Sequence, residues 1–195
     1  MAGRDLTSLP APKKRGRRSL LAAPLVDSLA VRACDVLDTL ALFNTHWDHE
    51  SPKSRVESAR MIAKLAERAL ADDGGPPAVL LLGDLNEPAP DRVNPAEASV
   101  GYAALLRAGF KDLVSSRPRG AFGPRSTYVG FFYDARGPGG RVDHILARVN
   151  ATRGIGAAAP LAGVVPTEDD RGALLSDHRP VLADVVFAPA PARPS

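Results

Sequence analysis

A chain of 195 residues with 45% hydrophobic content is long enough for one domain with a real core and too short for two ordinary ones. Its single cysteine, Cys34, excludes an internal disulfide framework and a cysteine-built zinc site, and no run approaches the roughly 20 apolar residues that span a bilayer. The formal charge of +3 is gathered at one end: residues 1–30 hold Arg4, Lys13, Lys14, Arg15, Arg17 and Arg18 against Asp5 and Asp27, so the rest of the chain is close to neutral, and a nucleic-acid surface spread over the fold is not indicated.

In chain order, residues 1–30 read as a disordered basic leader with Pro10 and Pro12. Its basic run has the composition of a solvated tail, a nuclear address or a polyanion-binding arm. The apolar stretch behind it is short, contains Pro24 and meets Asp27, which is a poor secretory signal; with one cysteine, an intracellular location is favoured. A buried strand at 40–43 leads into Asn44, His46, Trp47, Asp48 and His49. A capping box at Ser54 and Glu57 opens a helix over 54–72, with Ala59, Ile62, Ala63, Leu65, Ala66, Ala69 and Leu70 on one face and Gly74-Gly75 behind it. The apolar run 78–82 is a second strand, ending in Gly83, Asp84, Leu85 and Asn86. Strand, helix and strand make a βαβ-like unit, and parallel strands would bring His46 and Asp84 to one sheet edge.

Asn94-Pro95 has the form of a helix start, running through Tyr102, Leu105 and Leu106 to Gly109. Residues 110–114 suit a short strand, 115–125 a turn-rich segment, and 126–133 have strand composition. A turn at 137–140 precedes a strand at 142–149 bearing Asp143 and His144. Residues 150–173, rich in Gly, Ala and Pro, read as a connection, and Ser176 to Pro180 lead into a last strand at 181–187 before a disordered tail, 188–195. The folded domain is expected over 31–187.

Each polar cluster has an ordinary explanation by itself. His46 is typical of a hydrogen-bonded histidine at a core edge, Asp84 of a turn, Asp143 of an ion pair with Arg141 or Arg148, and Asp177 of a cap. Their recurrence at the rims of apolar strands points further. Asn44 and His46, Asp84 and Asn86, Asp143, and Asp177 and His178 supply carboxylates, amides and imidazoles without thiols, a donor set suited to Mg²⁺ or Mn²⁺. Imidazoles beside carboxylates suit proton transfer near neutral pH. Asn86 cannot act as a base, but its amide can orient a water or hold a phosphate oxygen. Together they read as metal-assisted hydrolysis of a phosphoester, either diester or monoester.

Five segments in this order, 44–49, 83–88, 126–131, 141–145 and 176–181, resemble the signatures of the endonuclease/exonuclease/phosphatase (DNase I-like) superfamily, which includes apurinic endonucleases, deadenylases, sphingomyelinases and inositol phosphatases. The paired His46 and His49 and the stretch 127–131 are most similar to its uncharacterised metal-dependent hydrolases. The resemblance implies a four-layer α/β sandwich with the site where strand ends meet. It implies a catalytic set of His46 on the scissile phosphate, Asp84 activating or positioning the water, Asn86 orienting it, and Asp143 paired with His178. It further implies Asp177 on the metal and Asn44, His49 and Thr127 toward the substrate.

Members of the family carry an Asn and a metal-binding Glu upstream of the first of these segments. The residues before Asn44 contain neither Asn nor Glu. The expectation is a chain resembling the C-terminal portion of such a domain, incomplete on its N-terminal side. The alternative to an active hydrolase is a catalytically impaired fragment that binds phosphate or a partner, and the basic arm keeps nucleic acid among the partners to be tested. Selectivity in this group rests in loops such as 88–96, 115–125 and 150–173.

Overall fold

Two parallel strands joined by a long helix organise the chain. The computed structural model describes residues 39–72, 74–89, 99–116, 120–130, 140–169 and 171–190. Strand β1, Ala41–His46, pairs in parallel with β2, Ala78–Asp84, from Ala41 opposite Val79 to His46 opposite Asp84. The crossover is helix α1, Pro52–Ala71. It starts one turn earlier than Ser54 and Glu57 suggest. Asp48 Oδ1 accepts the Glu50 and Ser51 N–H groups at 2.8 and 2.9 Å, Ser51 Oγ accepts the Ser54 N–H at 3.2 Å, and Pro52 occupies the first turn, where a missing N–H costs nothing. Those two bonds hold the Asp48 carboxyl below its usual range. Glu57, left out of the cap, pairs with Arg60 at 2.6 Å.

Helix α1 buries Ala59, Ile62, Ala66 and Leu70, the i, i+3, i+4 stripe visible in the sequence. They pack with Val79 and Leu81 of β2, Leu146, and Tyr102 and Leu105 of helix α2, Val100–Arg107. A fully buried leucine such as Leu81 contributes about 2 kcal/mol by removal from water. Helix α2 ends at Gly109 as expected, with the Gly109 and Phe110 N–H groups donating to Leu106 O and Leu105 O. The two-residue strand β3, Lys111–Asp112, is shorter than the expected 110–114.

Strand β4, Asp143–Val149, lies antiparallel to β2 on one side and to β3 on the other, so the first sheet has the order β1-β2-β4-β3. Its far face packs on a second sheet made of β5, Ile155–Val164, and β6, Val181–Pro189. Ala147, Leu80 and Ile145 from the first sheet meet Ala159, Ala162, Val181, Ala183 and Val185 from the second. Among the described residues the layers are therefore helices, first sheet and second sheet.

Three expectations need correction. The connection 150–173 is not irregular: it holds a 3-10 turn, Ala151–Arg153, and the ten-residue β5. Gly, Ala and Pro disfavour strands, but here Ala157, Ala159 and Ala162 are packed into the core between the sheets. Pro160 falls at the register shift between Ala158 and Leu161, where a missing N–H is tolerated. At Gly163 a Cβ would lie 2.3 Å from Phe122 O, so the position takes only glycine. The segment 126–130 forms no strand, only a bridge between Tyr128 and His178. Strand β6 continues to Pro189, into the expected tail. The leader 1–30, the Asn94-Pro95 helix start, residues 131–133 of the expected strand, the turn at 137–139 and residues 191–195 lie outside the described residues. No described helix is long and apolar enough to cross a membrane.

Candidate active site

The sheet register sets one row of polar groups at the end of the strands. His46 is the partner of Asp84 across β1 and β2, and Asp84 is the partner of Asp143 across β2 and β4. Because β4 runs antiparallel to β2, its N-terminal end meets the C-terminal ends of β1 and β2. Partners in register point to the same face, so an imidazole and two carboxylates are brought side by side by backbone pairing alone. Gly83 makes this pairing feasible: a Cβ there would lie 1.8 Å from Thr45 O, and its φ is +133°, a conformation that glycine adopts without penalty.

His178 completes the row from outside the sheet. Its Nδ1 is 2.8 Å from Asp143 Oδ2, and its Nε2 is 3.9 Å from Asp84 Oδ2. His46 Nε2 approaches the same Asp84 oxygen at 3.4 Å, so one carboxylate oxygen lies between two imidazoles. His46 is 74% exposed at the side chain and Asp84 only 14%. The other oxygen, Asp84 Oδ1, accepts the Asn86 N–H at 2.8 Å. Asn86 adopts φ +49°, which asparagine tolerates better than most residues, and its Nδ2 donates to Trp47 O at 2.8 Å. The strand exit 84–86 is thus a turn tied to Trp47, the residue that follows β1.

Ligating atoms of Asp84, Asp143 and His178 all lie within 4.8 Å of one another. Two carboxylates and an imidazole are a fitting donor set for a hard divalent cation. Asp177 is not among these three: its Oδ1 accepts the Ser176 hydroxyl at 3.4 Å, and its backbone O accepts the Val129 and Gly130 N–H groups. Asn44 lies two residues before His46 on the exposed side of β1. His49 sits apart from the row in an exposed contact with Glu50 at 3.5 Å. Thr127 is fully buried, and its hydroxyl accepts the Val142 and Asp143 N–H groups at 3.0 and 3.1 Å.

Beneath the row lies a buried network that the sequence reading did not anticipate. Asp112 Oδ2 accepts from Tyr102 OH at 2.8 Å and from Arg141 Nη2 at 2.6 Å, while its Oδ1 accepts the Val114 and Ser115 N–H groups. His144 Nδ1 lies 3.0 Å from Arg141 Nη1 and 3.3 Å from Asp112 Oδ2, and its Nε2 donates to Glu87 O at 2.9 Å. Burial opposes ionisation of Asp112, but His144 and the Arg141 guanidinium outweigh it and hold the carboxyl well below the usual range. Burial, then the Asp112 charge, pushes the Tyr102 phenol up. Glu87, also buried, accepts the Tyr102 N–H at the start of α2 and pairs with Arg55 at 3.3 Å. The one sequence signal for this network is strand alternation: with Asp143 facing the row, His144 is a candidate for the layer beneath, whereas Arg141 lies before β4 and carries no such signal.

Arg179, which follows His178, is also buried; its Nη2 donates to Glu168 Oε1 at 2.6 Å and its N–H to Thr127 O at 2.7 Å. The Arg179 guanidinium beside Glu168 holds that carboxyl below its usual range. Tyr128 and His178 make a tilted ring contact, with centroids 5.2 Å apart and planes at 56°.

Compared with known proteins, residues 5–178 match the family described as "Endonuclease/Exonuclease/phosphatase family". No curated protein is a match. Among solved structures, the chain is similar to a mannosyl-6-phosphatase of Bacteroides thetaiotaomicron VPI-5482, with 22% identity over 75% of this chain and 51% of that one and a TM-score of 0.57. It is similar also to a functionally unknown conserved protein of Enterococcus faecalis V583, with 23% identity, 75% and 50% coverage and a TM-score of 0.55. A family protein of Bacteroides thetaiotaomicron gives 22% identity, 74% and 47% coverage and a TM-score of 0.56. The chain spans about half the length of these structures, and the likeness is one of fold: two packed sheets with helices, the DNase I-like α/β sandwich.

Proposed function

The chain belongs to the endonuclease/exonuclease/phosphatase family, and from that premise we propose that the row His46, Asp84, Asp143 and His178 is the centre of a metal-dependent phosphoester hydrolase. The observation that carries this reading is the hydrogen bond from His178 to Asp143, which turns the opposite nitrogen of the ring toward Asp84. A carboxylate on one side fixes an imidazole's orientation and raises its basicity on the other.

Hydrolysis forms a bond from water oxygen to phosphorus and breaks the bond to the leaving oxygen, so one proton leaves the water and one reaches the leaving group. Asp84 positions this water, its Oδ2 facing both imidazoles and its Oδ1 occupied by the Asn86 N–H, and solvent at the exposed rim takes the first proton and supplies the second. Asn86, held by Trp47 O through one amide hydrogen, keeps its side-chain oxygen and second hydrogen for orienting the water. His46, exposed at the rim, donates to a phosphoryl oxygen from the solvent side. Asp84, Asp143 and His178 would hold a cation of the Mg²⁺ or Mn²⁺ kind, with Asp177, next to His178, as a further carboxylate. A bound cation supplies neutralisation of phosphoryl charge.

The test is hydrolysis of bis-p-nitrophenyl phosphate, p-nitrophenyl phosphate and mannose 6-phosphate with Mg²⁺ or Mn²⁺, comparing the chain with Asp84→Ala and His178→Ala. The sugar phosphate is included because one matched structure is a mannosyl-6-phosphatase. Turnover by the unmodified chain that both variants lose supports the reading. Equal background rates for all three sink it and leave a phosphate- or partner-binding role.

A further inference from the structure

We propose that Thr127 is a positioning residue that sets Asp143 and His178 against each other; the proposal rests on the hydrolase reading of the site. Its hydroxyl accepts the Asp143 N–H at 3.1 Å and the Val142 N–H at 3.0 Å. Its backbone oxygen accepts the N–H of Arg179, the residue after His178, at 2.7 Å. Asp143 and His178 are themselves joined at 2.8 Å. Three of these contacts close a ring through Thr127 hydroxyl, Asp143 backbone, Asp143 carboxylate, His178 imidazole, Arg179 backbone and Thr127 carbonyl, and the Val142 N–H is a second donor to the same hydroxyl.

The ring ties the two halves of the pair together, since Asp143 stands on β4 and His178 on a loop joined to the segment 126–130 through one bridge and the Asp177 O contacts. A single hydroxyl has two lone pairs and can accept both N–H groups. The β-branched side chain has few rotamers and holds the oxygen in place. Thr127 is fully buried, which suits a supporting role beneath the pair rather than contact with substrate. A misplacement of about 1 Å in a reacting group costs about 100-fold in rate, so a ring that removes slack from the pair has a direct kinetic consequence.

The variants are Thr127→Val, which keeps the shape and removes the oxygen, and Thr127→Ser, which keeps the oxygen and removes the methyl group. Thr127→Cys, a poor acceptor, replaces the valine variant if that one does not fold. At a temperature where circular dichroism shows all chains folded, the valine variant is expected to lose about 30- to 100-fold in kcat with KM within about twofold, and serine to restore kcat to within about threefold. In NMR spectra, valine shifts both the Asp143 amide and the His178 ring resonances, and serine shifts neither appreciably. The spectra decide the positioning role even if the unmodified chain hydrolyses nothing, which is the separate failure of the hydrolase reading. Wild-type kcat in the valine variant, equal impairment in serine and valine, or unmoved His178 resonances overturns the proposal.

Discussion

His178 Nδ1 lies 2.8 Å from Asp143 Oδ2, a charge-assisted contact that joins a loop residue to the first residue of β4. Replacing Asp143 by Asn keeps the size and removes the charge that orients and activates the ring. On the hydrolase reading, kcat falls by about 100- to 10,000-fold with little change in KM. Steady-state kinetics on bis-p-nitrophenyl phosphate measure both; a variant as fast as the original chain removes Asp143 from the mechanism.

Gly83 is a purely structural test of the same row. Any side chain there collides with Thr45 O, so Gly83→Ala forces β1 and β2 apart where His46 and Asp84 meet. The expected loss is at least about 3 kcal/mol, read by urea or thermal unfolding. A melting temperature unchanged within error contradicts the register described for this edge.

The cation reading predicts calorimetric heat on titration with Mn²⁺ that is reduced by Asp84→Asn and by Asp143→Asn, whereas His49→Ala, which lies apart from the row, leaves it unchanged. Activity removed by EDTA should return with Mg²⁺ or Mn²⁺. Equal Mn²⁺ affinity in all four chains places the cation elsewhere.

Arg179 is nearly inaccessible, and Glu168 is its single carboxylate partner among the described residues; its Nε has no partner there. Glu168→Ala strands the guanidinium and is expected to cost about 2 kcal/mol, less than a wholly buried pair because Glu168 keeps a third of its surface. The double change Glu168→Leu with Arg179→Met removes both charges and should recover much of that loss. Chemical denaturation of the original chain, Glu168→Leu, Arg179→Met and the double variant completes a cycle; zero coupling energy would show the pair to be idle.

Asp112 makes stability pH-dependent in a defined direction. Its folded-state pKa lies below the ordinary 3.8, so its contribution is fully present above about pH 4 and is lost as pH falls through the lower folded value. Asp112→Asn should destabilise the protein at neutral pH by about 3 kcal/mol, since Arg141 loses its partner, and flatten the fall of stability below about pH 4. Denaturation midpoints between pH 2 and 7 measure both effects.

Some of this was legible in the residues. The period of Ala59, Ile62, Ala66 and Leu70 and the apolar runs ending in His46 and Asp84 follow from local rules, and the strand, helix, strand unit formed as read. The start of α1 was misplaced because two residue sets could cap it, and Ser51 with Asp48 and Pro52 satisfied more free N–H groups than Ser54 with Glu57. Strand β5 was missed because its glycines, alanines and proline disfavour strands locally; packing between two sheets, which has no local signature, reversed that preference.

By itself the sequence determined which chemistry was on offer, through residue types that close apolar runs, and which family the ordered segments resemble. Tertiary structure alone decided who meets whom. The antiparallel course of β4 brings Asp143 beside Asp84, the bridge at Tyr128 brings His178 to Asp143, and burial turns Thr127 inward. Those distances depend on strand register and loop return across more than thirty residues, and local pattern carries no information about either.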